Sequence, residues 1–199
     1  MSTLSISQLV GALQRVARHA DGNVSGQSYG LNAFMPIMPG EAAAVQRHLE
    51  DLPAGGHSPL ARLHQLHCSR LHVLETLVYQ GEPQEPESLE SAYLIFTASF
   101  DGDLDRFLDD ICTRLPAEAD AIFGRCVSYP GTADAAEFRR YIRHNQVHNH
   151  YFLTPYPEST VEEVREALDV RRRVAEFAAG AQGMDDVTLQ QAFGEAFRP

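Results

Sequence analysis

Tyr93-Leu-Ile-Phe-Thr-Ala-Ser-Phe100, followed by Asp101-Gly102-Asp103, is the part of the chain with the strongest local structural preference. Aromatic and β-branched residues dominate Tyr93 to Phe100, which is typical of a strand. Asp101-Gly102 is a turn dipeptide, and Asp103 is suited to cap a helix over Leu104 to Leu115. These residues predict a strand that turns directly into a helix.

Strands and helices are predicted in alternation on both sides of this segment. Upstream, strands at Leu31 to Ile37 and Leu66 to Leu74 flank a helix over Glu41 to Leu52. Downstream, Ala121 to Ser128 and His150 to Pro155 are predicted as further strands. The other predicted helices cover residues 5–19, 133–145, 161–179 and 187–197, and a capping box at Thr160-Val-Glu-Glu163 begins the third of these.

The resulting order is α, βαββαβ, then αβα, which predicts an α+β fold of the ferredoxin-like (βαββαβ) type. Residues 1–28 would form an N-terminal helix and loop, residues 29–180 one domain with an αβα extension, and residues 181–199 a tail. Helices cover one face of such a sheet. The other face needs a cover, which a partner subunit in a homodimer, an added strand pair or a ligand could supply. Function is expected on that open face.

Composition excludes several classes of partner. The chain of 199 residues has a formal net charge of −11, and this charge disfavours binding to nucleic acids and anionic membranes. No apolar run approaches the about 20 residues of a membrane span, and Met1 to Val10 is not a secretory signal. A cytoplasmic location is expected. The sequence has three cysteines, an odd number, and no CxxC pair, which argues against a disulfide framework or a zinc ribbon. They are Cys68, Cys112 and Cys126.

Every basic residue is Arg, because the sequence contains no Lys. Schiff-base chemistry and a P-loop lysine are therefore excluded, and an anionic ligand must be held by Arg, backbone amides or helix N-termini. The GxSxG, GxGxxG and Walker motifs are also absent, so a hydrolase triad and nucleotide binding have no support.

Nine histidines include two clusters, at His64 to His72 and at His144 to His150. His148 and His150 would share one face of the last predicted strand, and His72 could supply a third ligand for iron, zinc or copper. The alternative is that these are ordinary surface or packed histidines, since no spacing such as HExxH is present.

Arg70 and Arg125 each lie in an apolar, strand-like segment. A buried Arg needs an anionic partner, which is either a carboxylate of the protein or a carboxylate of a ligand. If Leu66 to Leu74 is a strand, alternation places Arg70 on the same face as Cys68 and His72, with His67 on the opposite face.

The junction from Tyr93 to Asp105 resembles bacterial proteins of the ferredoxin-like, dimeric α/β-barrel type. Ala98-x-x-Asp101-Gly102 is also similar to the GxxDG motif of dye-decolourising peroxidases, with Ala98 in place of the first Gly. Those enzymes duplicate a ferredoxin-like domain, hold haem on its open sheet face, and use the Asp in proton transfer with a distal Arg and a proximal His.

The resemblance implies a catalytic role for Asp101, whose simpler alternative is a turn or cap residue. No motif identifies the Arg or the His. Arg70 is assigned a catalytic role, Arg125 a contact with a haem propionate, and His148 or His150 the ligation of iron.

A haem-associated, peroxidase-like oxidoreductase acting on a small molecule is therefore the favoured prediction. The first alternative is a cofactor-free enzyme, or one with a single metal held by His72 or His148, of the monooxygenase, isomerase or cyclase kind. The second is a ligand-binding or assembly module without catalysis, whose apolar sheet face is buried against a partner subunit.

Overall fold

An antiparallel sheet of four strands is present in the computed structural model of the chain, which describes residues 22–77, 79, 81–83 and 88–198. The strands are β1 (Val24–Ser25), β2 (Ser28–Pro36), β3 (Leu66–Thr76) and β4 (Ser88–Asp101). Their order across the sheet is β1-β2-β4-β3, so β4 lies between β2 and β3 and pairs antiparallel with both. The predicted α+β class is confirmed.

Six helices accompany the sheet in the described part of the chain. They are α1 (Ala42–Glu50), α2 (Leu104–Arg114), α3 (Pro116–Phe123), α4 (Ala135–His144), α5 (Val161–Gly180) and α6 (Asp186–Ala196). Asp103 caps α2 as predicted, because its carboxylate accepts a hydrogen bond from the backbone N–H of Arg106 at 3.0 Å. The predicted capping box of Thr160 and Glu163 begins α5.

The hydrophobic core lies on one face of the sheet. Alternation along β4 turns Leu94, Phe96, Ala98 and Phe100 towards the helices, and none of these side chains is more than 6% exposed. They form one cluster with apolar side chains of α1 to α4, such as Phe107, whose ring stacks on Phe100 with centroids 3.8 Å apart. The helices therefore cover this face, and the opposite face is left to other parts of the chain.

The predicted strand at Ala121 to Ser128 is wrong. Pro116 occupies the first turn of α3, a position that suits proline, and the helix-forming residues after it carry α3 through Phe123. Cys126 then makes an isolated bridge with Ile37. A short apolar run does not distinguish a helix from a strand by its periodicity, and here its helical neighbours prevail.

The predicted strand at His150 to Pro155 is also wrong. The outer edge of β2 is already occupied, because Val147 donates to the carbonyl of Asn32 at 2.8 Å and Gly30 donates to the carbonyl of Asn23 at 2.8 Å. No stretch of that edge remains for residues 150–155 to join, so they run on as irregular chain.

The chain divides into two compact units, with the boundary between Glu158 and Ser159. The first contains the sheet and α1 to α4, and the second contains α5 and α6. None of the described helices combines the length and the apolar character needed to cross a membrane. The predicted helix over residues 5–19 lies outside the described residues.

Candidate functional site

The open face of the sheet carries side chains from three strands in cross-strand rows. The register places Ser28 opposite Asp101, Asn32 opposite Thr97 and Phe34 opposite Ile95 on β2 and β4. On β3, Cys68, Arg70 and His72 lie opposite Ser99, Thr97 and Ile95 respectively. Because side chains opposite each other share a face, these residues form successive rows. The rows run from a polar end at Asp101 to the row of Ile95, which lies between Phe34 and His72.

At the polar end, Ser28, His67 and Asp101 form a hydrogen-bonded cluster. Nε2 of His67 lies 2.6 Å from Oδ1 of Asp101 and 3.3 Å from Oγ of Ser28. Oγ of Ser28 is also 3.5 Å from Oδ1 of Asp101. Ser28 is buried, the Asp101 side chain is 11% exposed and the His67 side chain is 29% exposed. The imidazole is therefore the accessible member of the cluster.

His67 reaches this cluster through a β-bulge. Leu66 pairs with Phe100 and Cys68 pairs with Ser99, so two residues of β3 advance where β4 advances by one. His67 is the extra residue, and the bulge brings its side chain to the open face beside Asp101. The prediction that His67 lies on the face opposite to Cys68 is wrong, because the bulge shifts the alternation on which it was based.

The hydrogen bonds of the cluster determine which chemistry it can perform. A carboxylate only accepts hydrogen bonds, so the Asp101 contact places a proton on Nε2 of His67 and leaves the lone pair of the neutral ring on Nδ1. In a serine hydrolase triad, Ser and Asp bind opposite nitrogens of the His. Here Ser28 and Asp101 bind the same nitrogen, so Ser28 is not an activated nucleophile.

A loop of the chain covers part of the open face over β2. Oδ1 of Asn149 accepts a hydrogen bond from Nδ2 of Asn32 at 2.5 Å, and Nδ2 of Asn149 donates to the carbonyl of Gly30 at 2.8 Å. The ring of Phe152 lies directly over Gly30, where an added Cβ would be only 2.8 Å from a ring carbon. Over β3 the face stays open, since Cys68, Arg70 and His72 are exposed.

His148 is held by Asn23 in a form that does not suit iron ligation. The backbone N–H of Asn149 donates to Oδ1 of Asn23 at 2.8 Å, which fixes the orientation of that buried amide. Nδ2 of Asn23 then donates to Nδ1 of His148 at 2.8 Å. The neutral ring consequently carries its proton on Nε2, whereas ligation through Nε2 requires a lone pair there.

The other predicted metal ligands are not gathered into one group. His72 lies on β3, while His148 and the exposed His150 follow α4. Within the described ranges, no set of three or more His, Cys, Asp or Glu side chains is placed to hold a metal ion. The His72, His148 and His150 set therefore does not form such a group.

The two predicted arginines have different environments. Nε of Arg125 lies 3.0 Å from Oε2 of Glu41, so this guanidinium is paired with a carboxylate of the protein, one of the two outcomes expected for it. Arg70 is exposed on the open face and forms no ion pair with any described residue. Arg70 is thus a cation on this face that a ligand can bind.

An open cleft of about 730 Å³ lies next to the polar end of the sheet. Gln27 and Gly102, the chain neighbours of Ser28 and Asp101, contribute to its lining together with Arg143, Gln146 and His148. Arg143 is already paired there with Asp105, at 2.8 Å between Nη2 and Oδ1. The volume suits a small molecule, and Gln146 of the lining similarly donates to the hydroxyl of Tyr29 at 2.7 Å.

Two of the three thiols are unsuited to nucleophilic chemistry. Burial raises the pKa of Cys126 to about 11. Burial also raises the pKa of Cys112 to about 11, and the charge of Asp109 adds to the shift. Burial similarly raises the pKa of the Tyr129 and Tyr141 hydroxyls. Since the thiolate is the reactive form of cysteine, only the exposed Cys68 is an accessible candidate among the three.

Sequence reasoning singled out Asp101 and Arg70 as functional candidates, and both lie on the open face, but it missed His67 and Ser28. Ser28 lies before the predicted start of its strand, and no pattern in the sequence signals the bulge at His67. Comparison of the chain with protein-family models, with curated proteins and with solved structures gives no match.

Proposed function

We propose that this chain is a cofactor-independent enzyme that transfers protons to and from a small molecule on the open sheet face, with His67 as the general base. The observation that carries the proposal is the 2.6 Å contact between Nε2 of His67 and Oδ1 of Asp101. Asp101 acts as a positioning residue, because its carboxylate fixes the ring and keeps the lone pair on Nδ1.

The bonds and electrons of the proposed proton transfer balance without a further reactant. Nδ1 of His67 takes a proton from a carbon next to a carbonyl group, so a C–H bond breaks and an N–H bond forms. The electron pair stays on the substrate as an enolate, and return of the proton to another carbon completes an isomerisation. Reaction classes of this kind need no oxidant and no metal from the protein.

Arg70 supports an anionic substrate. It is exposed on the same face, and guanidinium groups bind carboxylates with two parallel hydrogen bonds. Arg70 lies opposite Thr97, four residues along β4 from Asp101, which corresponds to about 13 Å along the strand. A substrate that contacts both Arg70 and His67 is therefore extended, with its carboxylate distant from the reacting carbon.

Deuterium exchange tests the proposal even while the reaction product is unidentified. The protein is incubated in heavy water with a panel of extended oxo-carboxylates, and the loss of C–H signals is followed by proton NMR. We expect exchange with the native protein and a loss of about 10²-fold or more in His67→Gln. His64→Gln, which removes a neighbouring exposed histidine, is the matched control and should exchange at the native rate.

Asp101→Asn separates positioning from folding. The amide can donate to Nε2 of His67, which would move the ring proton to Nδ1, so exchange should slow and its pH dependence should change. Absence of exchange across the whole panel, or an undiminished rate in His67→Gln, would overturn the proposal.

β2, α1 and β3 form a βαβ unit with β4 inserted between its two strands, as in the first half of a ferredoxin-like domain. In place of a final strand, Cys126 and Gln146 make isolated bridges to the β2 side of the sheet. We interpret the chain as a variant of that fold in which these bridges replace the last strand.

Haem-dependent peroxidase activity stays a prediction from the resemblance. Its weak point is His148, whose hydrogen bond from Asn23 opposes iron ligation. Addition of haem to the purified chain tests it, since specific ligation gives a Soret band that His148→Ala or His150→Ala should alter.

A further inference from the structure

The unit formed by α5 and α6 exposes an unusual amount of apolar surface for its size. Between 38% and 67% of each of eight large apolar residues is exposed. They are Val164, Leu168, Val170, Val174, Met184, Val187, Leu189 and Phe193. Many exposed large apolar side chains on a pair of helices are typical of a protein–protein interface.

Two helices cannot bury this surface against each other. The contact between them is built on Phe177, Phe193 and Phe197, whose ring centroids are 4.9 to 5.6 Å apart. Phe193 nevertheless remains 56% exposed. Units of about 40 residues usually need a disulfide, a metal or an additional chain for stability, and residues 159–199 contain no cysteine. Cover for this surface therefore has to come from outside the two helices.

The charged side chains of α5 indicate which protein could cover the exposed apolar residues. On the polar side of the helix, Asp169 pairs with Arg172 and Arg173, and Arg172 also pairs with Glu176 at 3.5 Å. These groups neutralise each other within the helix. They therefore need no charged partner from another chain.

Glu163, Ala167 and Arg171 lie on another side of α5. They are spaced by four residues, so they follow one another along one stripe, and all three are exposed. Val164, Val170 and Val174 flank this stripe. Within the described part of the chain, Arg171 forms no ion pair. One side of the helix thus combines a small central residue with opposite charges at equal distances from it.

We infer that two copies of this chain associate through their α5–α6 hairpins as a two-fold symmetric, antiparallel four-helix bundle. With the axis passing at Ala167, Glu163 of each copy faces Arg171 of the other, so two identical ion pairs form. Val164 of each copy faces Val170 of the other. The small Ala167 side chain allows the helices to approach closely. Self-complementarity of this kind is what a two-fold interface requires.

Sedimentation equilibrium of the full chain over a range of concentrations tests the inference. The expected species has twice the mass of the 22.0 kDa chain. Arg171→Glu should weaken the dimer by about tenfold, because two ion pairs become two repulsive contacts. Glu163 also closes the capping box with Thr160, and Gln can take its place there. Glu163→Gln added to Arg171→Glu therefore removes the repulsion without removing the cap, and it should recover part of the lost affinity.

Arg165→Glu is the matched control, because Arg165 lies on the opposite side of α5 and its reversal should leave the dimer constant unchanged. Far-UV circular dichroism of each variant verifies that the helices persist. A chain that stays monomeric at every concentration would overturn the inference, as would a dimer that responds equally to Arg171→Glu and Arg165→Glu.

Discussion

The three cysteines are expected to differ sharply in reactivity. Cys68 is exposed, whereas burial raises the pKa of Cys112 and Cys126 from 9.0 to about 11. At mildly alkaline pH the thiolate fraction of the two thiols with a raised pKa is about 100-fold lower than that of an ordinary cysteine. Iodoacetamide should therefore label one site rapidly, and Cys68→Ser should remove that fast phase in mass spectrometry. Rapid labelling that survives Cys68→Ser would contradict this expectation.

The same two thiols link folding stability to pH. Their pKa is higher in the folded chain than the ordinary value of 9.0, so the folded state favours the protonated thiol. This contribution is fully present below about pH 9 and is lost as the pH rises through about 11. The melting temperature should fall across that window, and it should fall less steeply in Cys126→Ala. Tyr129 and Tyr141, whose pKa burial also raises, add to the loss at its upper end.

Residue-level predictions from the sequence succeeded where the cause is local. Asp103 caps α2 and Thr160 caps α5, because a helix cap depends only on the residues beside it. Alternation placed Arg70 on one face with Cys68 and His72, and the register confirms that grouping, whereas Asp101 was singled out by its resemblance to a peroxidase motif. The partner of Asp101 was not predictable, because the contact with His67 joins residues 34 positions apart across a bulge.

At the level of single elements, the cap of α2 offers a direct measurement. Asp103→Ala removes the acceptor for the N–H of Arg106 and should reduce the free energy of unfolding by about 1 kcal/mol. Asp103→Asn keeps a side-chain oxygen there and should cost less. Urea unfolding of the two variants tests this, and equal losses would argue against the cap as the cause.

The loop over β2 should depend on the absence of a side chain at position 30. An added Cβ in Gly30→Ala would lie 2.8 Å from the ring of Phe152, so the loop must shift, with an expected cost of about 1–3 kcal/mol. If the ring is the main obstacle, Phe152→Ala should abolish most of that cost and leave the part due to Nδ2 of Asn149, which lies 3.1 Å from the added Cβ. A double-mutant cycle measures the coupling, and additive effects would mean that Phe152 is not responsible.

A helix or strand was predictable from the sequence where one pattern dominates, and it was not predictable where helical and strand patterns compete. β2, β3 and β4 were anticipated because long alternating or β-branched stretches define them. The predicted strand at Ala121 to Ser128 was wrong because its apolar run suits either a helix or a strand. The predicted strand at His150 to Pro155 was wrong for a non-local reason. Asn23 and Val147 already form hydrogen bonds with the outer edge of β2, where this strand would have paired.

Considered as a whole, the sheet unit is held by a single cluster whose buried members lie between Tyr29 and Ile142. We expect a chain that ends at Glu158 to keep a cooperative thermal transition close to that of the full chain. Phe107→Ala in the full chain is the reference for a loss of core packing, and it should lower the free energy of unfolding by about 3–5 kcal/mol. A truncated chain that unfolds without cooperativity would contradict the independence of this unit.

The rows across the open face have a consequence for any molecule that rests there. The cluster of Ser28, His67 and Asp101 lies at one end of these rows, and Arg70 lies farther along, opposite Thr97. A guest with a carbonyl group at one end and a carboxylate at the other therefore fits in one orientation, with the carboxylate at Arg70. Shortening the spacer between the two groups should weaken binding, because the guest can no longer reach Arg70 and His67 together.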